Sequence, residues 1–235
     1  MNFRKYCPAI VKLWLKTTQS RLRDINSGAA RRLVKASAAR NPLPVRHTVT
    51  QRIMPGPLFA NKVNNLKLAI ERINYLAIPQ GKIFSFNTIV GRTVASKGYK
   101  PGRSLKDGLL KEETGGGVCQ LAWIMHQLCL ATGIVVLERH HHSRDIYDDN
   151  SRFAPLGSDA TVVYGYKDFR IQNNYSEDIC FSFSIDNQQL TCSVCSILEL
   201  PQLTVRHETI SCGRQKICAH TFVDNQFHCE CFYDR

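Results

Sequence analysis

At 235 residues the chain is long enough for one domain with a hydrophobic core plus appendages, and two full domains are not expected. The net charge of +12 is uneven: residues 1–46 carry eleven Lys and Arg against one acid, Asp24, a net +10, so the basicity belongs to an N-terminal arm. The ten cysteines are about 4% of the chain, below the ~8% or more of a disulfide scaffold, and no stretch approaches the ~20 apolar residues of a spanning helix.

The arm opens with "CPAIVKLWLKTTQSRLRDI", a moderately amphipathic helix with Ile10, Leu13 and Trp14 on one side and basic residues elsewhere. Its apolar run is broken by Lys12 and leads to no small-residue cleavage site, so the chain is expected to be cytoplasmic with reduced thiols. Three placements are open to the arm: peripheral attachment to an anionic membrane surface, packing on the body, or pairing with a partner. Nucleic acid is not expected, because the chain has neither zinc-finger spacing nor aromatics set among glycines and basic residues. "NPLPVRHTVTQRIMPGPL", with four prolines, reads as a linker or irregular entry, and the body is expected to begin near residue 47.

In "NKVNNLKLAIERINYLAIPQG", Val63, Leu66, Ala69, Ile70, Ile73 and Leu76 recur at helical spacing, and Pro79 with Gly81 supplies a stop. "KIFSFNTIVGRTVASKGYKPGRSLKDGLL" suits short strands and turns. From Cys119 to about Ala131 the sequence is apolar nearly all round, with Gly133 as a C-terminal cap, which predicts a buried helix. Four strand-like stretches follow, "IVVLERHHHS", "DATVVYGYKDFRIQNN", "DICFSFSID" and "QLTCSVCSILEL", the last two joined as a hairpin around "DNQQ". The predicted fold is α+β: two core helices packed on a largely antiparallel sheet over residues 47–200, with the basic arm before it. Residues 201–235 carry no readable pattern.

The chemistry concentrates at "GGGVCQ". A cysteine at a helix start feels the partial positive charge of unpaired amides, which favours the nucleophilic thiolate. Gly115, Gly116 and Gly117 reach dihedrals closed to other residues, and their amides could form an anion nest or oxyanion hole, with the Gln120 side-chain amide as a further donor. A strand period of two sends His140 and His142 of "ERHHHS" to one face, with His142 the first choice of general base. His140 or Asp159, which opens the next strand, would then orient the imidazole. His126, two helical turns after Cys119, is too far for a direct bond and belongs to the core or the support of the site. The rival chemistry is a zinc site of Cys119, His140 and His142 with an open position. In the tail, Cys212 with Cys218 and Cys229 with Cys231 miss the usual knuckle spacing, so no metal or other cofactor is expected.

Taken in order, "VNNLKLA", "FSFNTIVGR", "KGYKPG", "DGLL", "GGGVCQ", "ERHHHS" and "GSDATVVYGYKDFRIQNN" resemble the VanW family, over about residues 62–186. The family pattern falls on Gly115, Gly116, Gly117, Cys119, Gln120, Glu138, Arg139, His140, His142, Asp159 and Thr161, which implies substrate-binding roles for Glu138 and Arg139. The chain order Cys, His, Asp is similar in layout to papain-like and NlpC/P60-like cysteine hydrolases. Because the family is named for a protein of glycopeptide-resistance clusters, the resemblance implies a peptidoglycan precursor or related peptide as substrate. Two functions are therefore expected in competition: a cysteine-dependent hydrolase or acyltransferase, and a non-catalytic module binding an anionic cell-wall intermediate.

Overall fold

The computed structural model describes residues 8–106, 109–145, 154–212 and 216–234. In chain order the elements are α1 (Ala9–Asn26), β1 (Val45–Arg52), α2 (Phe59–Ile73), β2 (Ile83–Ser85), α3 (Phe86–Ile89), β3 (Pro101–Lys106), β4 (Leu109–Thr114), α4 (Cys119–Thr132), β5 (Val135–Glu138), β6 (Arg170–Gln172), β7 (Ile179–Asp186), β8 (Gln189–Ser196), β9 (Val205–Ser211), β10 (Lys216–Val223) and β11 (Gln226–Asp234). The strands form antiparallel sheets of order β1-β8-β7, β2-β6-β5 and β11-β10-β9, plus the hairpin β3-β4. The fold is α+β.

α4 is the centre of the core. Its residues Gln120–Leu130 are buried apart from Gln127, and Leu121, Ile124, Met125 and Leu128 are wholly enclosed. Each such side chain is worth ~1.5–3 kcal/mol relative to exposure. The helix lies against β1, β8 and β5, and stops where Gly133 takes a left-handed conformation at φ 67°. α2 is amphipathic, burying Leu66, Ala69, Ile70 and Ile73 against the side of β3 and β7. The β7–β8 hairpin turns through Asn187 and Gln188, both at positive φ, as two-residue hairpin turns require.

Two expectations change and one open alternative is decided. The proline-flanked entry is not irregular throughout, because Val45–Arg52 pairs along β8 as a strand. The arm packs on the body, one of the placements open to it: its one acid, Asp24, is buried and makes a bidentate pair with Arg170 at 2.6 and 3.0 Å, while Leu13 and Thr17 lie against Gly165. Finally, β9, β10 and β11 form a three-stranded antiparallel sheet over a small core of Leu156, Ala219, Cys231 and Tyr233. Among the described residues no helix is long and apolar enough to cross a membrane.

Candidate active site

The β3–β4 hairpin delivers the chain to the glycine turn, and the turn is shaped by close approach. A side chain on Gly116 would meet the Gly102 carbonyl carbon at 2.2 Å, and one on Gly115 would meet Thr93 Oγ1 at 2.2 Å. Both contacts demand glycine. Asn65, fully buried on α2, clamps the same crossing: its Nδ2 donates to the carbonyls of Lys100 and Gly116 at 2.9 and 3.0 Å, and its Oδ1 accepts from Lys100 N at 2.8 Å. The sequence reading passed over Asn65, although a polar residue on the apolar face of a helix was a usable signal.

The turn does not offer the donors expected of Gly115 and Gly116. Their amides donate to Lys100 O at 3.0 Å and Glu113 O at 2.9 Å. No backbone acceptor among the described residues takes up the amides of Gly117, Val118 or Cys119, and these three sit at the positive end of α4. Gln120 is likewise committed, donating to Arg52 O at 3.0 Å.

Cys119 is the first residue of α4 and borders a cavity of about 230 Å³, which Lys62, Arg103, Trp123, His142 and Val162 also line. Its sulfur lies 3.5 Å from Thr161 Oγ1 and accepts from Val162 N at 3.5 Å. His142 lines the same cavity, and its interaction with the sulfur favours the thiolate. Asp159, 2% exposed, accepts with Oδ2 from both Nδ1 and the backbone N of His142 at 2.7 Å. With Nδ1 committed to the carboxylate, Nε2 is the nitrogen left for the sulfur, a tautomer fixed by the hydrogen-bond network. Cys119, His142 and Asp159 thus form a continuous chain.

The electrostatics follow from that chain. Burial alone would push the Cys119 thiol up, but the hydrogen bond and positive charge of His142 outweigh it, aided by Val162 and Thr161, and the thiol titrates below its ordinary value. Burial would lower His142, yet Asp159 and Cys119 raise it to about 9. Asp159 stays ionised against burial because His142 and Arg139 hold its carboxyl well below the usual range. The two shifts favour the thiolate of Cys119 and the imidazolium of His142 together. Across the cavity, burial and then the neighbouring Arg103 lower Lys62 to about 8.

Other expected site residues lie elsewhere. β5 ends at Glu138, so the period of two does not run through the histidines, and His140 turns away from His142. His140 Nε2 donates to Glu138 Oε1 at 3.0 Å, in a second cavity shared with Asp24 and Arg170. His140 therefore does not orient His142, and a Cys119–His140–His142 zinc site is not assembled. Glu138 accepts from Asp168 N and pairs with Arg170, which makes it part of the seam where α1 docks. Arg139 does not line the Cys119 cavity: its Nε donates to Asp159 O at 2.8 Å and its Nη2 to Gly157 O at 2.7 Å. It positions the segment that carries Asp159, a segment that is irregular and not the opening of a strand. The Tyr233 hydroxyl donates to Asp159 Oδ1 and accepts from Gly157 N at 2.9 Å. Nothing in the sequence pointed to Tyr233, which stands 74 residues from Asp159. His126 is buried with Nδ1 2.7 Å from Ser158 O, and burial lowers it to about 3, so it acts as a core histidine.

Comparison with known proteins fits these residues. Residues 61–195 match the family model described as VanW like protein, more than half of the chain. The chain is 32% identical over 138 residues to YoaR of Bacillus subtilis (strain 168), a protein described as uncharacterized, covering 57% of this chain and 44% of that protein. It is also 32% identical over 114 residues to the vancomycin B-type resistance protein VanW of Enterococcus faecalis (strain ATCC 700802 / V583), covering 48% and 42%. The chain thus spans less than half the length of the curated relatives it matches, and no solved structure matches it significantly. Since the matched span encloses the glycine turn, Cys119, His142 and Asp159, the chain belongs to the VanW family.

Proposed function

We propose that the chain is a cysteine-dependent enzyme that breaks or exchanges an amide bond. The observation that carries this reading is the Cys119–His142–Asp159 chain opening on a cavity at the start of α4. The Cys119 thiolate attacks the substrate carbonyl carbon, and the carbonyl electron pair moves onto oxygen, where the amides of Gly117, Val118 and Cys119 are the available donors. His142 then gives its Nε2 proton to the departing amine, leaving an acyl thioester on Cys119. Water or an acceptor amine, deprotonated by His142, displaces the thiolate and restores the site. Asp159 keeps the imidazole oriented throughout.

Lys62 and Arg103 place two cations in the cavity, which suits a substrate carrying a carboxylate near the reacting amide. Together with the name of the Enterococcus relative, this favours a peptidoglycan precursor or related peptide, in association with glycopeptide resistance. The same cations would serve a purely binding role, and substitution at Cys119 separates the two. Cys119→Ser retains the backbone and the cations, so a binder keeps its function, whereas a thiol enzyme loses turnover of a cell-wall peptide by at least ~10³-fold. Full activity of the serine variant sinks the enzyme reading. Helix α1, exposing Ile10, Trp14, Leu22 and Ile25 beside Lys12, Lys16 and Arg21, lies against an anionic membrane surface in this proposal.

A further inference from the structure

The C-terminal meander has two faces. Towards the body it turns Ala219, Thr221, Cys231 and Tyr233; on the outer face of β10 the strand period places Cys218 and His220 side by side. The register sets Glu230 of β11 directly across from His220. Cys212 follows the end of β9, where its N–H donates to Lys216 O at 3.1 Å. Three of these side chains converge. Cys218 Sγ donates to Glu230 Oε1 at 3.1 Å and His220 Nε2 donates to the same oxygen at 2.9 Å, with Cys212 beside Cys218. The ligating atoms of Cys218, His220 and Glu230 all lie within 4.8 Å of one another.

We propose that Cys218, His220 and Glu230, with Cys212 as the fourth donor, form a structural zinc site on the outer face of the meander. Two thiolates, an imidazole and a carboxylate are a borderline-soft set that suits Zn²⁺, whereas Mg²⁺ and Ca²⁺ take oxygen. Tetrahedral bonds of ~2.0–2.3 Å need donors a little over ~3 Å apart. The hydrogen-bonded contacts of 2.9 and 3.1 Å need only slight widening to admit the ion. Binding replaces protons: each thiol S–H bond breaks, the sulfur keeps the electron pair and forms the bond to zinc, and one proton per cysteine goes to solvent. Sequence spacing could not show this site, because its donors come from three strands.

The meander also has reason to need a clip. It contributes only Ala219, Cys231 and Tyr233 to a small core completed by Leu156, and its outer face leaves Ile210, Phe227 and Phe232 exposed. A unit of this size, below ~40 residues, usually needs a metal, a disulfide or a partner to supplement its core. One ion bound by these donors ties the end of β9 to β10 and β11, and so fixes Tyr233, whose hydroxyl reaches Asp159. The site itself does not depend on Cys119 being a nucleophile.

The test is metal analysis of the full chain purified without a metal column, followed by zinc and then cobalt titration. About one zinc per chain is expected, with a cobalt spectrum that combines tetrahedral d–d intensity and a thiolate charge-transfer band. Glu230→Gln alters an exposed side chain and leaves the fold intact; Cys218→Ser removes a buried ligand. Each should weaken zinc binding at least ~100-fold, the upper end of what loss of a supporting partner costs. Cys212→Ser should reduce the charge-transfer band by about half. The proposal is overturned if the folded chain takes up no zinc, if cobalt binds without a thiolate band, if Glu230→Gln binds zinc like wild type, or if Cys212 and Cys218 are found joined as a disulfide.

Discussion

Replacing Asp159 by Asn keeps the side-chain volume and removes the charge, and the consequence can be worked from His142. The imidazole titrates at about 9 instead of 6.5 because, against burial, Asp159 and then Cys119 favour its protonated form. That rise corresponds to roughly 3 kcal/mol at about 1.36 kcal/mol per pKa unit. Without the carboxylate, His142 should return most of the way to its ordinary value and lose its hold on the thiolate. The thiolate share near pH 6 then falls, because the hydrogen bond and charge of His142 are what hold the thiol below its ordinary value. The assay is the rate of Cys119 alkylation by iodoacetamide from pH 5 to 9, with the modified peptide identified by mass spectrometry. The wild-type rise should come at lower pH than that of Asp159→Asn, whose rise should centre near ~8.5, as for a free thiol. Stability carries a second signature. Because the folded pKa of His142 is raised, its contribution is complete below 6.5 and fades as pH climbs through about 9. Asp159→Asn should flatten that alkaline loss in urea titrations. Superimposable alkylation profiles for the two proteins would refute the coupling.

Three further outcomes follow from contacts described above. Asn65→Ala strands the amide of Lys100 and the carbonyls of Lys100 and Gly116, at ~1–3 kcal/mol for each group left unmet, so urea-derived stability should fall by roughly 3 kcal/mol or more and Cys119 alkylation should slow. Tyr233→Phe removes only the hydroxyl that Asp159 and Gly157 share; a cost of ~1.5–3 kcal/mol is expected, with slower alkylation at pH 6 and an unchanged circular dichroism spectrum. Trp14 is 63% exposed on α1, so Trp14→Ala should leave thermal unfolding unaltered while reducing sedimentation with anionic vesicles; equal binding by both proteins would remove α1 from the membrane proposal.

The local patterns were legible because a single element decides them. The spacing Val63, Leu66, Ile70, Ile73 marks α2, the unbroken apolar run with Gly133 marks α4, and Asn187 with Gln188 turns the β7–β8 hairpin. The proximity of Cys119, His142 and Asp159 was also expected, although Asp159 reaches His142 from an irregular segment and not from the opening of a strand. What escaped depended on where elements stop or on distant pairing. The strand period was carried past Glu138, where β5 ends, and so His140 was placed beside His142. Glycine amides were counted as free donors, although β3 and the clamp from α2 draw the turn so close that Gly115 and Gly116 spend theirs on the backbone. In β10 both faces carry mixed residues, Ile217, Ala219 and Thr221 on one and Cys218, His220 and Phe222 on the other, so no binary pattern announced a strand.

The reach of Tyr233 has a consequence for how the molecule can be cut. Similarity to the family ends at residue 195, yet the hydroxyl that braces Asp159 and the Cys231 sulfur 3.0 Å from Arg139 Nη1 both lie beyond it. The boundary drawn by ancestry is therefore narrower than the boundary drawn by mechanics. A fragment trimmed at residue 195 would keep every residue of the Cys119 relay while losing the scaffolding behind its acidic end. It should fold around α4 and still carry a sluggish thiol.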